Sequence, residues 1–247
     1  MTLDDILAGL FSNGSKIEVI GAMIAGKGTM ADGKPIHVLG ITQGQNLGVD
    51  EAIVLAGHVI EIIGSHDRAP ILVLVDSASQ RMSRREELLG LSEYLSHLAK
   101  SLLMAEAEGH RTVGLLYGGS AAGAFIATAL AAGTLVALPG AHPAVMDLPS
   151  MARVTKLPIE VLKAKAEATP VFAPGLDNMV RTGGIHVVWD ETAPLAPQLA
   201  AVLELPLGQD DRDQLGTERG GRRKAAEIAD RVVAMAATSS FRELRHG

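Results

Sequence analysis

Two short apolar runs, separated by an amphipathic helix, constrain the fold of this chain more than any other feature. The runs are "APILVLVD" (69–76) and "RTVGLLY" (111–117), each of strand length and continuous enough to be buried on both faces. Because a strand, a helix and a strand in succession form a right-handed parallel crossover, the sequence predicts a parallel sheet with these runs at its centre. The helix is predicted over 86–104, where one stripe carries Leu88, Leu91, Leu95, Leu98 and Leu102.

A β-rich unit and a helix are predicted before the first run. "KIEVIGAMI" (16–24) and "IHVLGITQ" (36–43) have the composition of strands, and Asp32-Gly33 between them is a hairpin-type turn signal. Residues 50–63 follow with apolar side chains at helical spacing, and Asp50 is the expected N-cap. A β-unit and a helix are therefore expected to precede the parallel core in the sequence.

After the second run the same alternation continues. "SAAGAFIATALAA" (120–132) is a small-residue helix that opens at two glycines, and "TLVALPG" (134–140) is another short strand. Residues 151–168 have a helical pattern, and "VVW" (187–189) is the expected last strand. Alternating strands and helices are thus predicted over most of the chain.

Length, charge and cysteine usage narrow the classes of function. The 247 residues, 47% of them hydrophobic, support a substantial buried core. A formal net charge of -6 gives no general attraction to nucleic acid or to an anionic membrane. The absence of cysteine removes disulfides, thiolate metal sites and a cysteine nucleophile, and we expect no metal. Asp4 and Asp5 stand where a signal peptide carries basic residues, and no apolar run is long enough to cross a bilayer, so we expect a cytoplasmic protein.

The stretch "VGLLYGGSAAGAF" (113–125) contains the turn on which the chemistry depends. Gly118 and Gly119 permit positive φ and let a ligand approach the main chain, and the first N–H groups of the following helix lack intrahelical partners. Such a turn binds a phosphate, a carboxylate or an oxyanion that exists only during a reaction. Neither this turn nor "GAMIAGKGT" (21–29) completes a phosphate loop, and Ala122 stands where the nucleophile elbow G-x-S-x-G has its last glycine.

The order of these motifs resembles that of the crotonase-type carboxyltransferases. "PILVLVDS", a Leu-rich helix, "TVGLLYGGSAAGAFIA" and "ALPGAHPAVM" follow one another as in that superfamily, over residues 40–154. With "HPAVMDLPSMARVTKLP" (142–158) and "FAPGLDNMVRTGGIHVVW" (172–189), the chain is similar to the gamma-subunit family of biotin-independent malonate decarboxylases. The resemblance implies an α/β fold of the crotonase (ClpP/crotonase-like) type, with repeated ββα units, a mostly parallel core sheet and flanking helices.

The domain organisation is predicted on the same basis. Residues 1–206 are expected to form a crotonase-like carboxyltransferase-type domain. The polar stretch 207–221 is expected to be a linker, and 222–247 to hold a C-terminal helix that packs on the domain or on a partner.

In the family that the chain resembles, backbone N–H groups hold the thioester carbonyl or its enolate. The resemblance implies that, with a beta subunit, the chain decarboxylates malonyl-S-acyl carrier protein to acetyl-S-acyl carrier protein and CO₂ in malonate catabolism. The backbone of Gly118, Gly119 and Ser120 matches the glycine-rich oxyanion hole of the family. The candidate substrate-binding residues are Ser79, Gln80, Ala121 and His142, and the candidate proton donors are Tyr117, Gln80, Ser120 and His142.

The resemblance also implies a substrate carrier and partners. The acyl group is expected on a phosphopantetheine-type (phosphoribosyl-dephospho-CoA) arm of an acyl carrier protein subunit, and no cofactor is expected on this chain itself. The expected partners are the beta subunit, the acyl carrier protein and the acyl-carrier-protein transferase alpha subunit. Carboxyltransferases usually carry Asp-Thr-Pro-Gly after the matching strand, whereas this chain reads Asp76-Ser77-Ala78-Ser79, which agrees with chemistry that needs no biotin.

Two other hypotheses stay open at this point. Self-compartmentalising serine peptidases of the same fold share the Gly-rich turn and the "GAF"-like helix, and Ser120 with His142 fits such a pair, although Ala121 stands at the nucleophile position. A non-catalytic partner subunit, which completes a site on another crotonase-type chain, accounts for the small-residue helix and the leucine stripe as an interface.

Overall fold

The computed structural model describes residues 1–169, 173–206 and 210–243, with side chains up to residue 237. The strands, in chain order, are β1 Ser15–Ile20, β2 Met23–Thr29, β3 Pro35–Leu47, β4 Ile71–Gln80, β5 Thr112–Leu116, β6 Gly119–Ala121, β7 Thr134–Ala137, β8 His142–Ala144 and β9 Val187–Val188. The helices are α1 Leu3–Leu10, α2 Val49–Ser65, α3 Arg84–Leu89, α4 Leu91–Ala107, α5 Ala122–Ala127, α6 Leu148–Thr155, α7 Ile159–Ala168, α8 Leu176–Arg181, α9 Leu195–Leu203, α10 Arg212–Glu218 and α11 Ala225–Glu243.

The two apolar runs, β4 and β5, lie side by side in the main sheet. Its strand order is β1-β2-β3-β4-β5-β7-β9, in which β1, β2 and β3 pair antiparallel and the strands from β3 to β9 pair parallel. Ile71 lies opposite Thr112, and Val75 lies opposite Leu116. Every residue of β5 is buried. The predicted parallel sheet centred on these runs is therefore confirmed.

Helices cover both faces of this sheet. One buried cluster joins α2, α4 and α5 to the face that carries Val73 and Val75, and a second joins α1 and α9 to the face that carries Leu72 and Leu74. β4 contributes to both clusters because successive side chains of a strand point to opposite faces. Each fully buried side chain of this size contributes about 1.5–3 kcal/mol, so the core fixes the strand ends from which the site loops leave.

A small second sheet changes the expected start of the Gly-rich helix. β6 pairs with β8 in parallel, and Gly119 lies opposite His142. Because this pairing holds residues 119–121 extended, α5 begins at Ala122 and spans six residues. The prediction of a helix over 120–132 that opens at the two glycines is wrong in both its start and its length.

The first β-unit has one strand more than predicted. Gly21, with φ of +63°, breaks the stretch 16–24 into the ends of β1 and β2. The Asp32-Gly33 turn joins β2 to β3 as an antiparallel hairpin, as predicted. The helix predicted over 50–63 is α2, but its N-cap is Gly48 and not Asp50.

The long Leu-rich helix is two helices. Gly90, with φ of +76°, ends α3 and begins α4. The other leucines of the predicted stripe are buried, but Leu88 lies before this break and is 76% exposed. The helix predicted over 151–168 is likewise divided into α6 and α7, because Lys156 adopts a left-handed conformation and Pro158 follows.

The C-terminal segment contains a helix where a polar linker was predicted. Within the described part of 207–221, α10 is attached to the rest of the chain through the arginines at its two ends. Arg212 donates to the Leu130 carbonyl oxygen (2.8 Å), and Arg219 donates to that of Ile185 (2.7 Å). The domain boundaries themselves stay a prediction. Among the helices within the described ranges, none combines the length and the apolar character needed to cross a membrane.

Candidate active site

The candidate site lies where β3, β4 and β5 end, at the carboxyl edge of the parallel sheet, where α/β proteins bind ligands. The turn after β5 begins with Tyr117, whose side chain is buried and whose hydroxyl donates to Thr42 Oγ1 (2.7 Å). Burial raises the pKa of Tyr117 to about 12, so the hydroxyl keeps its proton at neutral pH. This predicted proton donor is therefore held in a buried contact with β3.

Gly118 and Gly119 are needed for close packing rather than for positive φ. The positive-φ residues of the described chain include neither of them. A Cβ on Gly118 would overlap the carboxylate of Asp76. A Cβ on Gly119 would lie 2.8 Å from His142 Nε2 and 2.9 Å from the Ser77 carbonyl oxygen. The glycines let this turn fit between β4 and β8.

A carboxylate of the chain itself binds the N–H group of Gly119. Asp76 is half-buried in β4 and accepts from Gly119 N–H through Oδ1 (3.1 Å). Its other oxygen, Oδ2, accepts from Gly44 N–H (3.2 Å). Gly119 is one of the three predicted oxyanion donors, and its N–H is thus already hydrogen-bonded within the chain.

Ser120 is buried, and its hydroxyl is paired with another hydroxyl. Ser120 Oγ lies 2.8 Å from Ser77 Oγ, and both side chains are in the interior. A serine nucleophile needs a general base within hydrogen-bond reach and access to its substrate. With Ser77 as its partner in place of a histidine, Ser120 has the surroundings of a structural residue.

The residue with an uncommon conformation in this turn is Ala122, which sequence reasoning did not select. Its φ is +51°, a region that residues with a Cβ rarely occupy and that is frequent at functional sites. Because Ala122 follows β6 and begins α5, the backbone has the strand–turn–helix form of a nucleophile elbow. The elbow carries a methyl group, so it presents backbone and no nucleophile. The only signal in the sequence was its place at the end of the incomplete G-x-S-x-G pattern.

Of the two candidates at the end of β4, the structure brings Gln80 to the turn. Gln80 Oε1 accepts from Gly123 N–H (2.8 Å) in the first turn of α5. The Ser79 hydroxyl instead donates to the Gln80 carbonyl oxygen (3.0 Å), and Ser79 Oγ also lies 3.4 Å from Asn46 Oδ1. Ser79 is therefore directed toward β3, and Gln80 holds the elbow.

His142 is exposed and lies beside the glycine turn. Its backbone N–H donates to the Gly118 carbonyl oxygen (3.0 Å), and its Nδ1 lies 3.3 Å from the Gly140 carbonyl oxygen. Ala121, the remaining predicted residue, is half-buried at the N-cap position of α5. An imidazole with access to solvent thus stands next to the predicted oxyanion turn.

A cavity of about 770 Å³ opens beside the end of β8. Val145, Met146 and Met179 supply apolar walls, and the charged lining residues are of both signs: Arg212, which is paired with Asp210, Arg222 and Asp213. This volume is within the range of about 300–1,000 Å³ that small-molecule sites occupy.

Solved structures share the overall fold of this chain. Transcarboxylase 12S, at 16% identity, matches 81% of this chain and 39% of its own with a TM-score of 0.65, a likeness that supports the fold alone. A chain of the Pseudomonas malonate decarboxylase hetero-tetramer in complex with coenzyme A is 26% identical and matches 94% of this chain and 97% of its own, with a TM-score of 0.76. The Pseudomonas MdcD-MdcE hetero-dimer gives the same identity and coverage, with a TM-score of 0.73. The fold and these similarities define a carboxyltransferase-like protein of the crotonase fold.

Sequence comparison places the chain within that class. The model of the malonate decarboxylase gamma subunit, MdcE, matches residues 42–236, so the chain belongs to the malonate decarboxylase gamma-subunit family. A relative in Malonomonas rubra, the malonyl-S-ACP:biotin-protein carboxyltransferase MADD, is 29% identical in an alignment 209 residues long, and the match covers 76% of this chain and 70% of the relative. The predicted fold class and the predicted family are both confirmed.

Proposed function

We propose that this chain, with a beta subunit, decarboxylates malonyl-S-acyl carrier protein to acetyl-S-acyl carrier protein and CO₂. The observation that carries the proposal is the elbow at Ala122, where the backbone geometry is kept and a side-chain nucleophile is missing. A backbone site of this kind suits a reaction in which charge must be stabilised and no covalent bond to the enzyme forms. The family match over residues 42–236 supports the choice of reaction.

The chemistry requires an oxyanion to be stabilised. The bond between the malonyl α-carbon and its carboxylate carbon breaks, CO₂ leaves, and the electron pair moves onto the thioester oxygen as an enolate. Fixed N–H dipoles accelerate this step when they bind that oxygen more strongly in the transition state than in the ground state. One such donor is worth about 3 kcal/mol.

We assign these donors to the backbone from Gly118 to Ala122, which revises the set predicted from the sequence. Since Asp76 binds the Gly119 N–H, that group orders the turn. Alternate N–H groups of an extended strand point to the same edge, so Ala121 N–H shares the β4-facing edge with Gly119. By the same alternation Ser120 N–H points toward β8, with which β6 is paired, so Ala121 N–H is the donor that we assign within the strand, and the backbone of Gly118 and Ser120 shapes the turn around it.

The enolate must then receive a proton at its α-carbon. Of the four predicted proton donors, Tyr117 and Ser120 have buried hydroxyls in hydrogen bonds with other side chains, and Gln80 is bonded to Gly123. The side chain of His142 is exposed beside the turn and is not bonded to another side chain of the site. We therefore assign proton delivery to His142.

The substrate arm and the partners belong to the same proposal. The malonyl group arrives on the phosphoribosyl-dephospho-CoA arm of an acyl carrier protein, which an alpha subunit loads, in the cytoplasm. Two observations on relatives support a shared assembly. One solved Pseudomonas enzyme is an MdcD-MdcE hetero-dimer, and another holds coenzyme A.

Reconstitution tests the proposed function. The chain, its beta subunit and malonyl-loaded acyl carrier protein are combined, and CO₂ release and acetyl-S-acyl carrier protein are measured. We expect turnover by the complex and at least 100-fold slower turnover by the purified chain alone, because each chain supplies part of the site. Decarboxylation by the single chain at the rate of the complex would contradict the shared site. A complex that forms no acetyl product would contradict the proposed reaction.

One observation favours a second candidate, a non-catalytic gamma subunit. Asp76 already occupies the N–H of Gly119, as expected if the thioester binds only to the partner chain. The candidates differ in how the turnover of an assembled complex responds when the turn around Gly119 is obstructed: turnover falls if this chain holds the oxyanion, and it is unchanged if only the partner chain does.

A further inference from the structure

We propose that Asp76 is a positioning residue for decarboxylation, one that holds the turn from Gly118 to Ala122 in the shape that presents its backbone donors. The inference rests on the proposed function above and deepens it by naming the group that orders the site. Asp76 itself stays bound to the protein backbone and does not contact the substrate.

Asp76 joins the backbone segments on the two sides of β4. One of its oxygens binds an irregular part of β3, and the other binds the start of β6, which follows β5. On one side it binds Gly44, which has φ of +59° and lies where the register between β3 and β4 shifts. On the other side it binds Gly119, three residues before the positive-φ Ala122. One carboxylate therefore ties two irregular backbone segments to the end of a buried strand.

A carboxylate suits this position chemically. Both partners of Asp76 are N–H donors, and an ionised carboxylate is an acceptor at both oxygens, so it satisfies both groups at once. An amide of the same shape has one acceptor oxygen and one donor NH₂, which would face one of the two N–H groups without a hydrogen bond. Replacing Asp76 by Asn therefore removes one of these two hydrogen bonds and changes the volume of the side chain very little.

Asp76 also constrains the turn sterically. The carboxylate lies so close to Gly118 that a Cβ there would overlap it, and the N–H of Gly119 points at the same side chain. The path of the backbone through both glycines is thus fitted to Asp76. A shift of this carboxylate moves the donors that we assign to the oxyanion site.

The test compares Asp76→Asn with Asp67→Asn in the assembled complex. Asp67 is a matched control, since it precedes β4 at its other end and accepts from a backbone N–H, that of Ala69 (2.9 Å), and from His37 Nε2 (2.8 Å). We expect Asp76→Asn to lower kcat at least tenfold with KM for the malonyl thioester within about twofold of wild type, because misplaced donors weaken transition-state binding. Asp67→Asn should keep wild-type kcat.

The outcomes separate the inference from the function on which it rests. Wild-type kcat for Asp76→Asn in an active complex, or a raised KM with kcat unchanged, overturns the positioning role alone. An inactive wild-type complex contradicts the proposed function instead. If Asp76→Asn does not assemble, Asp76→Ser, which retains one acceptor, is measured in its place with the same expected loss of kcat and the same contradicting result.

Discussion

At the scale of single residues, burial determines which side chains take part in chemistry. The hydroxyls of Ser120 and Ser77 satisfy each other in the interior, and leaving one of them unpaired costs about 1–3 kcal/mol. Such a pair stabilises the fold, whereas a nucleophile has to be free to lose its proton to a base. The peptidase hypothesis loses its nucleophile at Ser120, and the methyl group of Ala122 offers none at the elbow.

A second buried residue gives the stability a predictable dependence on pH. Burial lowers the pKa of His37 below its ordinary value of 6.5, even though Nε2 lies 2.8 Å from the Asp67 carboxylate. Between the lowered pKa and 6.5, the unfolded chain binds the proton more readily than the folded chain, so stability is present above pH 6.5 and lost as the pH falls below it.

We therefore expect the melting temperature of the protein to fall between pH 7.5 and pH 5.5, and to fall less in His37→Gln, which does not titrate. His97→Gln, at an exposed position of α4, is the control and should keep the wild-type dependence. An identical pH profile for His37→Gln and wild type would contradict the assignment.

At the scale of secondary-structure elements, glycine conformation decides where helices end. Gly90 has φ of +76° between α3 and α4, whereas Gly57 lies inside α2 with an ordinary helical φ and open space around its Cβ position. Both are glycines in apparently continuous helical patterns. The sequence pattern does not tell them apart, but their backbone conformations do.

This contrast predicts opposite effects for the same substitution. Gly90→Ala places a Cβ in the left-handed region and should lower the free energy of unfolding by about 1–2 kcal/mol. Gly57→Ala relieves the entropy cost of glycine in a helix and should raise it by about 0.4–1 kcal/mol. Urea denaturation of the two variants measures both, and shifts in the same direction would contradict the assigned conformations.

The same contrast explains what the sequence could and could not predict. The buried strands appear in the sequence as the uninterrupted apolar runs 69–76 and 111–117, and the parallel sheet can be predicted from these runs. The elbow cannot be predicted in this way, because its form depends on the pairing of residues 119–121 with β8, which is more than 20 residues away in the sequence. Likewise, the two glycines at 118 and 119 suggested a backbone with positive φ. What excludes a side chain at Gly118 is instead the carboxylate of Asp76, which lies in the neighbouring strand β4.

At the scale of the whole molecule, the elements around the site are incompletely covered. Met82, Leu88 and Val154 are 78%, 76% and 69% exposed, on the loop after β4, on α3 and on α6. Permanent hetero-complexes bury more apolar side chains than a free surface does. The exposure of these three side chains in the single chain agrees with a proposed beta subunit that covers apolar residues of these elements.

The central claim is that this chain contributes a catalytic backbone turn to that complex, and the turnover of complexes assembled with Gly119→Val tests it most directly. A Val side chain would meet His142 Nε2 and the Ser77 carbonyl oxygen, so it should displace the turn and obstruct the acyl group. Ser120→Ala, which keeps the backbone donor, is the control. Both must first be shown to assemble with the beta subunit, since a glycine substitution also acts through folding.

We predict that assembled Gly119→Val loses well over tenfold in kcat, the equivalent of about 1.4 kcal/mol, and that assembled Ser120→Ala loses far less. Wild-type turnover by assembled Gly119→Val, with or without loss of activity in Ser120→Ala, would contradict the claim.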